Sequence, residues 1–68
     1  MLRVNSTLRL TETELVVFRL LTNAPYALPK TVAEYNAALA AAAARLENGA
    51  TLFERQSAVV AREMILPA

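Results

Sequence analysis

Apolar and polar side chains alternate along the first ten residues of the chain. The apolar members of this alternation are Leu2, Val4, Leu8 and Leu10. A period of two is typical of a β-strand with one apolar and one polar face, so we predict a strand over residues 2–10. A lone strand is not stable, and no second strand pattern follows. Either a turn at Asn5-Ser6 folds this segment into a small hairpin, or it pairs with the same strand of a second chain.

The pattern Thr-x-x-Glu occurs three times directly before an apolar stretch, at residues 11–14, 31–34 and 51–54. In such a capping box the threonine oxygen accepts the N–H three residues on, and the glutamate reaches back to the threonine N–H. Each box therefore indicates the start of a helix. We predict three helices, over about residues 12–22, 32–48 and 52–65.

Helix-breaking residues follow each of these segments. Pro25 and Pro29 predict a loop after the first helix, and Pro67 ends the third. Gly49 is expected to take the left-handed conformation that commonly ends a helix. Since only Ala50 separates Gly49 from the next cap, the second and third helices either fold back as a hairpin or bend sharply.

The three helices differ in how their apolar residues are arranged. The first is apolar on most sides, which is typical of a buried helix. Its central Arg19 is expected either to extend to solvent or to pair with a glutamate of a neighbouring helix. The second carries an apolar seam flanked by alanines, and the third has one apolar side, containing Leu52, Phe53, Val59 and Val60. Tyr26 is either an exposed contact or a lid over the first helix.

Composition indicates that the chain associates with a second copy. It has 68 residues, of which 56% are apolar, and it contains no Cys and no His. Small domains usually need a disulfide, a metal or a partner subunit, and this composition excludes disulfides and the usual zinc, iron and copper sites. We therefore predict a mainly α fold, an obligate homodimer in which the N-terminal strand forms an intermolecular ribbon followed by three helices.

Charge and hydropathy exclude several classes of protein. The net charge is +1, which is neither a basic nor an acidic tail. No apolar run approaches the ~20 residues that span a bilayer, and the first residues do not resemble a signal peptide, so the expected location is cytoplasmic. Without His and Cys, and with the acidic residues assigned to caps and surface pairs, we expect no enzyme activity, no catalytic residue, no metal and no cofactor.

The segment Asn5-Ser6-Thr7-Leu8-Arg9-Leu10, running into Thr11-Glu12-Thr13-Glu14-Leu15, resembles the ribbon-helix-helix fold of the MetJ/Arc class. In that class two strands pair across a dimer and enter the DNA major groove. The resemblance implies that Asn5, Thr7 and Arg9 contact base edges, for which their side chains are suited. It also implies that Lys30, Thr31 and Val32 hold a backbone phosphate at the start of the second helix.

The same entry into the first helix also looks like that of OmpR-type winged-helix domains, but no recognition helix or wing follows. The ribbon-helix-helix resemblance implies a homodimeric regulator that binds double-stranded DNA. An alternative is a small helical adaptor or inhibitor, of the kind found in phages and mobile elements, that binds a host or cognate protein. In either case we expect the dimer or partner interface to contain Leu8, Leu10, Leu15, Phe18, Leu21, Tyr35 and Leu39.

Overall fold

The computed structural model describes residues 7–67, which form three α-helices. These are α1 (Glu12–Thr22), α2 (Val32–Glu47) and α3 (Leu52–Met64). All three predicted helices are confirmed, and their ends lie within one residue of the predicted ones. The sequence signal was strong because the caps and the breaking residues mark the same boundaries.

The predicted N-terminal ribbon is wrong as far as the described residues reach. Residues 7–10 form no strand, and Thr7 makes only an isolated antiparallel bridge with Thr31 of its own chain. The Leu8 N–H donates to the Lys30 carbonyl at 3.1 Å. The loop after α1 brings residues 30 and 31 back beside the N-terminal segment, so backbone groups there find partners within the chain. Residues 2–6 of the predicted strand lie outside the described residues.

Threonine caps begin all three helices. Thr11 and Thr51 form complete capping boxes with Glu14 and Glu54. At α2, Thr31 accepts the Glu34 N–H, but the Glu34 carboxylate accepts the Thr31 hydroxyl at 3.2 Å. The capping box of α2 is therefore incomplete.

The left-handed residue in the described chain is Asn23 (φ 53°), which ends α1, and the prediction for Gly49 is wrong. Gly49 has no positive φ. Its role is to allow close approach, since a Cβ built there would lie 2.5 Å from the Cβ of Glu54. The Glu54 side chain occupies this space because it folds back to cap α3.

Helices α2 and α3 form an antiparallel hairpin. Asn36, near the start of α2, receives the Leu66 N–H at 2.9 Å and donates its amide to the Leu66 carbonyl at 2.8 Å, just beyond the end of α3. Arg62 makes a two-bond ion pair with Glu47, at 2.6 and 2.8 Å. Of the two alternatives for the short link, the hairpin is the correct one.

The core lies where α1 crosses this hairpin. The rings of Phe18 and Tyr35 stack there, with centroids 5.1 Å apart. Burial and, secondarily, the charge of Glu14 raise the pKa of Tyr35. The buried cluster consists of Phe18, Tyr35, Leu39, Ala43 and Ala61. Most of the apolar volume of α2 is therefore used within the chain itself.

Candidate interaction surface

Large apolar side chains of α1 and α3 point away from this core. Leu20 of α1 is 75% exposed and Phe53 of α3 is 79% exposed. Val16 precedes Leu20 by one turn, Val60 follows Phe53 by two turns, and both are also exposed. We call the surface formed by Val16, Leu20, Phe53 and Val60 the α1–α3 face. The chain by itself therefore leaves part of the apolar helix α1 uncovered.

The helix α3 buries its small side chains and exposes its large ones. Ala58 and Ala61 are buried, whereas most of the large residues on its predicted apolar side are exposed. These exposed residues are Leu52, Phe53, Val59 and Val60. The small side chains of Ala58 and Ala61 let α3 lie close to the alanine-rich α2, and this close contact fixes which side of α3 is turned outward.

Two clefts lie between α1 and α3, one at each end. The first, of about 390 Å³, has Leu20 and Phe53 on its walls, together with Leu21 and Leu46. The second, of about 350 Å³, is lined by Val17 of α1 and Met64 of α3. Because the end of α1 lies beside the start of α3, and the start of α1 beside the end of α3, the two helices run antiparallel.

The two ends of the α1–α3 face carry opposite charges. Glu14 and Glu63 line the second cleft, which we call the acidic end. The hydrogen bond from the Thr11 N–H lowers the pKa of Glu14 and so favours its charged form. At the other end, which we call the basic end, Arg45 lines the first cleft and Arg19 lines a neighbouring hollow shared with Val16 and Leu20.

Both arginines of the basic end are held by backbone carbonyls. Arg45 donates to the Leu21 carbonyl at 3.0 Å, and Arg19 donates to the Ala27 carbonyl at 2.8 Å. Arg19 is therefore partly exposed and bonded to a backbone carbonyl, and it does not pair with the glutamate that was one of the two expectations for it. Glu54 also lines the first cleft, where its carboxylate caps α3 as that of Glu14 caps α1, so the basic end carries two arginines and one carboxylate.

The predicted DNA-contacting residues are partly brought together. The bridge places the exposed Thr7 opposite Thr31, and Arg9 and Lys30 are exposed nearby. The side chain of Val32 is fully buried in the chain's own core. Asn5 lies outside the described residues. Glu34 is exposed at the same helix start, so the charge around the bridge is mixed.

Three of the seven residues predicted for a dimer or partner interface lie in the chain's own core. Phe18, Tyr35 and Leu39 are buried. The others are partly buried: Leu8, Leu10, Leu15 and Leu21. Tyr26 is 92% exposed, so it is not a lid over α1. The predicted interface does not include the four residues of the α1–α3 face, because apolarity alone does not distinguish the two sides of a helix.

Comparison with known proteins gives no family for the chain. No protein-family model matches it, and no curated protein or solved structure is significantly similar. Within residues 7–67, no helix has the length and apolarity needed to cross a bilayer.

Proposed function

We propose that the protein is a small helical protein-binding module whose contact surface is the α1–α3 face. The observation that carries this proposal is the exposure of Leu20 and Phe53 on the walls of one cleft that also contains Leu21 and Leu46. Isolated exposed apolar residues are ordinary on protein surfaces. Grouped ones around a cleft are typical of interaction sites.

Burial of this face supplies free energy of the same order as the cost of association. Fully burying one Val, Leu or Phe side chain is worth about 1.5–3 kcal/mol. The four residues of the face begin more than two-fifths exposed, so their burial contributes several kcal/mol on this chain and a similar amount on the partner. Association costs an estimated 4–15 kcal/mol. The polar residues at the cleft margins, among them Asn23 and Ser57, provide the rim that such interfaces have.

Site-specific photocrosslinking in cells that produce the protein tests this proposal. A benzophenone amino acid replaces Phe53, whose aromatic ring it resembles, and in the control it replaces Ala44, which is exposed on α2. We expect a discrete crosslinked protein product from position 53 and none from position 44. Equal yields from the two positions, or no product from position 53, would contradict the proposal.

Binding to double-stranded DNA is a second candidate function. The observation in its favour is the bridge that puts Thr7 beside Thr31, close in sequence to the exposed Arg9 and Lys30. The carboxylate of Glu34 already accepts the Thr31 hydroxyl at the start of α2, which weakens the attraction of that helix end for a phosphate. For this reason DNA ranks second.

Fluorescence anisotropy of a labelled duplex at about 50 and 200 mM salt tests the second candidate. Binding that weakens steeply with salt, and that is lost in Arg9→Ala and in Lys30→Ala, would favour DNA. Binding unchanged by both substitutions would exclude this surface as the site.

A further inference from the structure

We infer that the occupant of the α1–α3 face is a second copy of this chain, placed by a two-fold axis that lies in the interface perpendicular to α1 and α3. The inference rests on the proposed function and names its partner. Two copies then meet face to face, α1 against α1 and α3 against α3. The two α1 helices and the two α3 helices then form a four-helix bundle. One α2 helix covers this bundle on each outer side.

Antiparallel packing is the first argument for this arrangement. Within one copy α1 and α3 already run antiparallel, as the residues that line the two clefts require. The two-fold axis reverses the second copy, so each helix of the layer has antiparallel neighbours on both sides. This is the pattern of up-and-down four-helix bundles.

Charge complementarity decides the direction of the axis. A two-fold axis parallel to the helices would place the two acidic ends together, with Glu14 and Glu63 of one copy facing the same residues of the other. The perpendicular axis instead places the acidic end of each copy over the basic end of the other, which carries Arg19 and Arg45. The basic end keeps a net positive charge when Glu54 is counted, and the match occurs twice in a symmetric dimer, so it favours the perpendicular axis.

The four residues of the face supply about half of the area that a stable dimer buries on each partner, and neighbouring residues add to it. A fully exposed aromatic side chain alone presents about 150–250 Å². With Leu20, Val16 and Val60, the face presents apolar area on the order of 400 Å² per chain before its polar rim is counted. A stable interface removes about 800 Å² on each partner. The neighbouring exposed Leu52 and Val59 extend the apolar stripe along α3.

Sedimentation equilibrium of the full chain at increasing concentration tests the inference. We expect a reversible monomer–dimer equilibrium in the wild-type chain. The double variant Leu20→Gln/Phe53→Gln should weaken the dimer at least about a hundredfold. The matched control is Ala37→Gln/Ala44→Gln, on the exposed side of α2, which should leave the equilibrium unchanged. Circular dichroism shows that both double variants stay helical.

The axis direction is tested by Glu63→Lys, which reverses an exposed charge at the acidic end. With the perpendicular axis this lysine faces arginines of the partner, so the dimer should weaken about tenfold. With the parallel axis the same lysine would face glutamates, and the dimer would become tighter. A tighter dimer would therefore overturn the arrangement.

The absence of native cysteine makes crosslinking a clean second measurement. Gln56→Cys lies on the exposed side of α3, between Phe53 and Val60. Mild oxidation should give a disulfide-linked dimer from this variant and none from Ala44→Cys.

Sedimentation and crosslinking together distinguish failure of the dimer from failure of the protein-binding function. A chain that stays monomeric at millimolar concentration, yet crosslinks a different protein from position 53, overturns the second copy as occupant and leaves the module intact. A monomeric chain that crosslinks nothing overturns both.

Discussion

The α2–α3 contact and the α1–α3 face use apolar residues in opposite ways. At the contact, Ala43 and Ala61 are completely buried. On the face, Leu20 and Phe53 carry far more apolar surface and remain exposed. The larger side chains would gain more free energy from leaving water, in proportion to their area. Helix α3 thus packs against α2 through its alanines and leaves larger apolar side chains exposed.

This difference shows that burial depends on shape as well as on hydropathy. A second helix can approach α2 closely only through small side chains, and the alanines of α2 supply them. Once α3 is docked by Ala58 and Ala61, its periodicity turns Phe53 and Val60 outward. The exposed face is a geometric consequence of the alanine contact.

The largest effect should come from removing one buried leucine. Leu39 is fully buried, so Leu39→Ala leaves a cavity and should lower the free energy of unfolding by about 3 kcal/mol. The same chemical change at Leu20 should cost less than about 0.5 kcal/mol, because that side chain is exposed. Urea unfolding at low protein concentration, where association contributes little, measures both. Similar losses at the two positions would remove the distinction between core and face.

Overpacking the alanine contact should have the next largest effect. Ala61→Leu adds volume where there is no space and should cost about 1–3 kcal/mol. Ala37→Leu makes the same change at an exposed position of α2 and should be close to neutral. Thermal unfolding of the two variants checks this. If Ala61→Leu is as stable as Ala37→Leu, the helices are not held by close contact.

The cap of α3 should contribute less. The Thr51 oxygen accepts the Glu54 N–H at 3.1 Å. Thr51→Ala leaves that N–H without its partner and should cost about 1 kcal/mol, whereas Thr51→Ser keeps the hydroxyl and should retain most of the stability. Chemical unfolding distinguishes the two variants. A serine as destabilising as alanine would show that the hydroxyl is not the stabilising group.

The smallest effect should be a pH dependence from the Arg62–Glu47 ion pair. Hydrogen bonding to Arg62 lowers the pKa of Glu47 from its usual 4.5. Glu47 ionises more readily in the folded chain than in the unfolded chain, so its charged form stabilises the fold. This stabilisation is complete above about pH 4.5 and is lost as the pH falls through the lowered pKa of Glu47. The pair is exposed, so the effect is small.

Unfolding measured between pH 3 and 7 checks this prediction. Glu47→Gln and Arg62→Gln should flatten the acid side of the stability profile to the same extent, since each removes the same pair. Unequal changes would assign the pH dependence to another group, such as Glu14, whose pKa is also lowered.

Much of the local structure could be predicted, whereas the interaction surface could not. Threonine caps and prolines act within a few residues, so the ends of α1, α2 and α3 followed from nearby sequence. The N-terminal alternation led to a wrong prediction of a ribbon, because an apolar–polar pattern does not specify which segment pairs with it. Thr7 instead forms a bridge with Thr31 of the same chain. The two hydrogen bonds between Asn36 and Leu66 could not be predicted either, because they join residues thirty positions apart.

By itself, the sequence determined three capped helices, a short link between the last two, and the exclusion of disulfides. These follow from interactions within one or two turns and from composition. Only the tertiary structure decided which side of each helix faces inward, that Gly49 is needed for its contact with Glu54, and that Leu20 and Phe53 share an exposed cleft. The reason is that helical periodicity defines the sides of a helix, but the closeness with which neighbouring helices pack decides which side is buried.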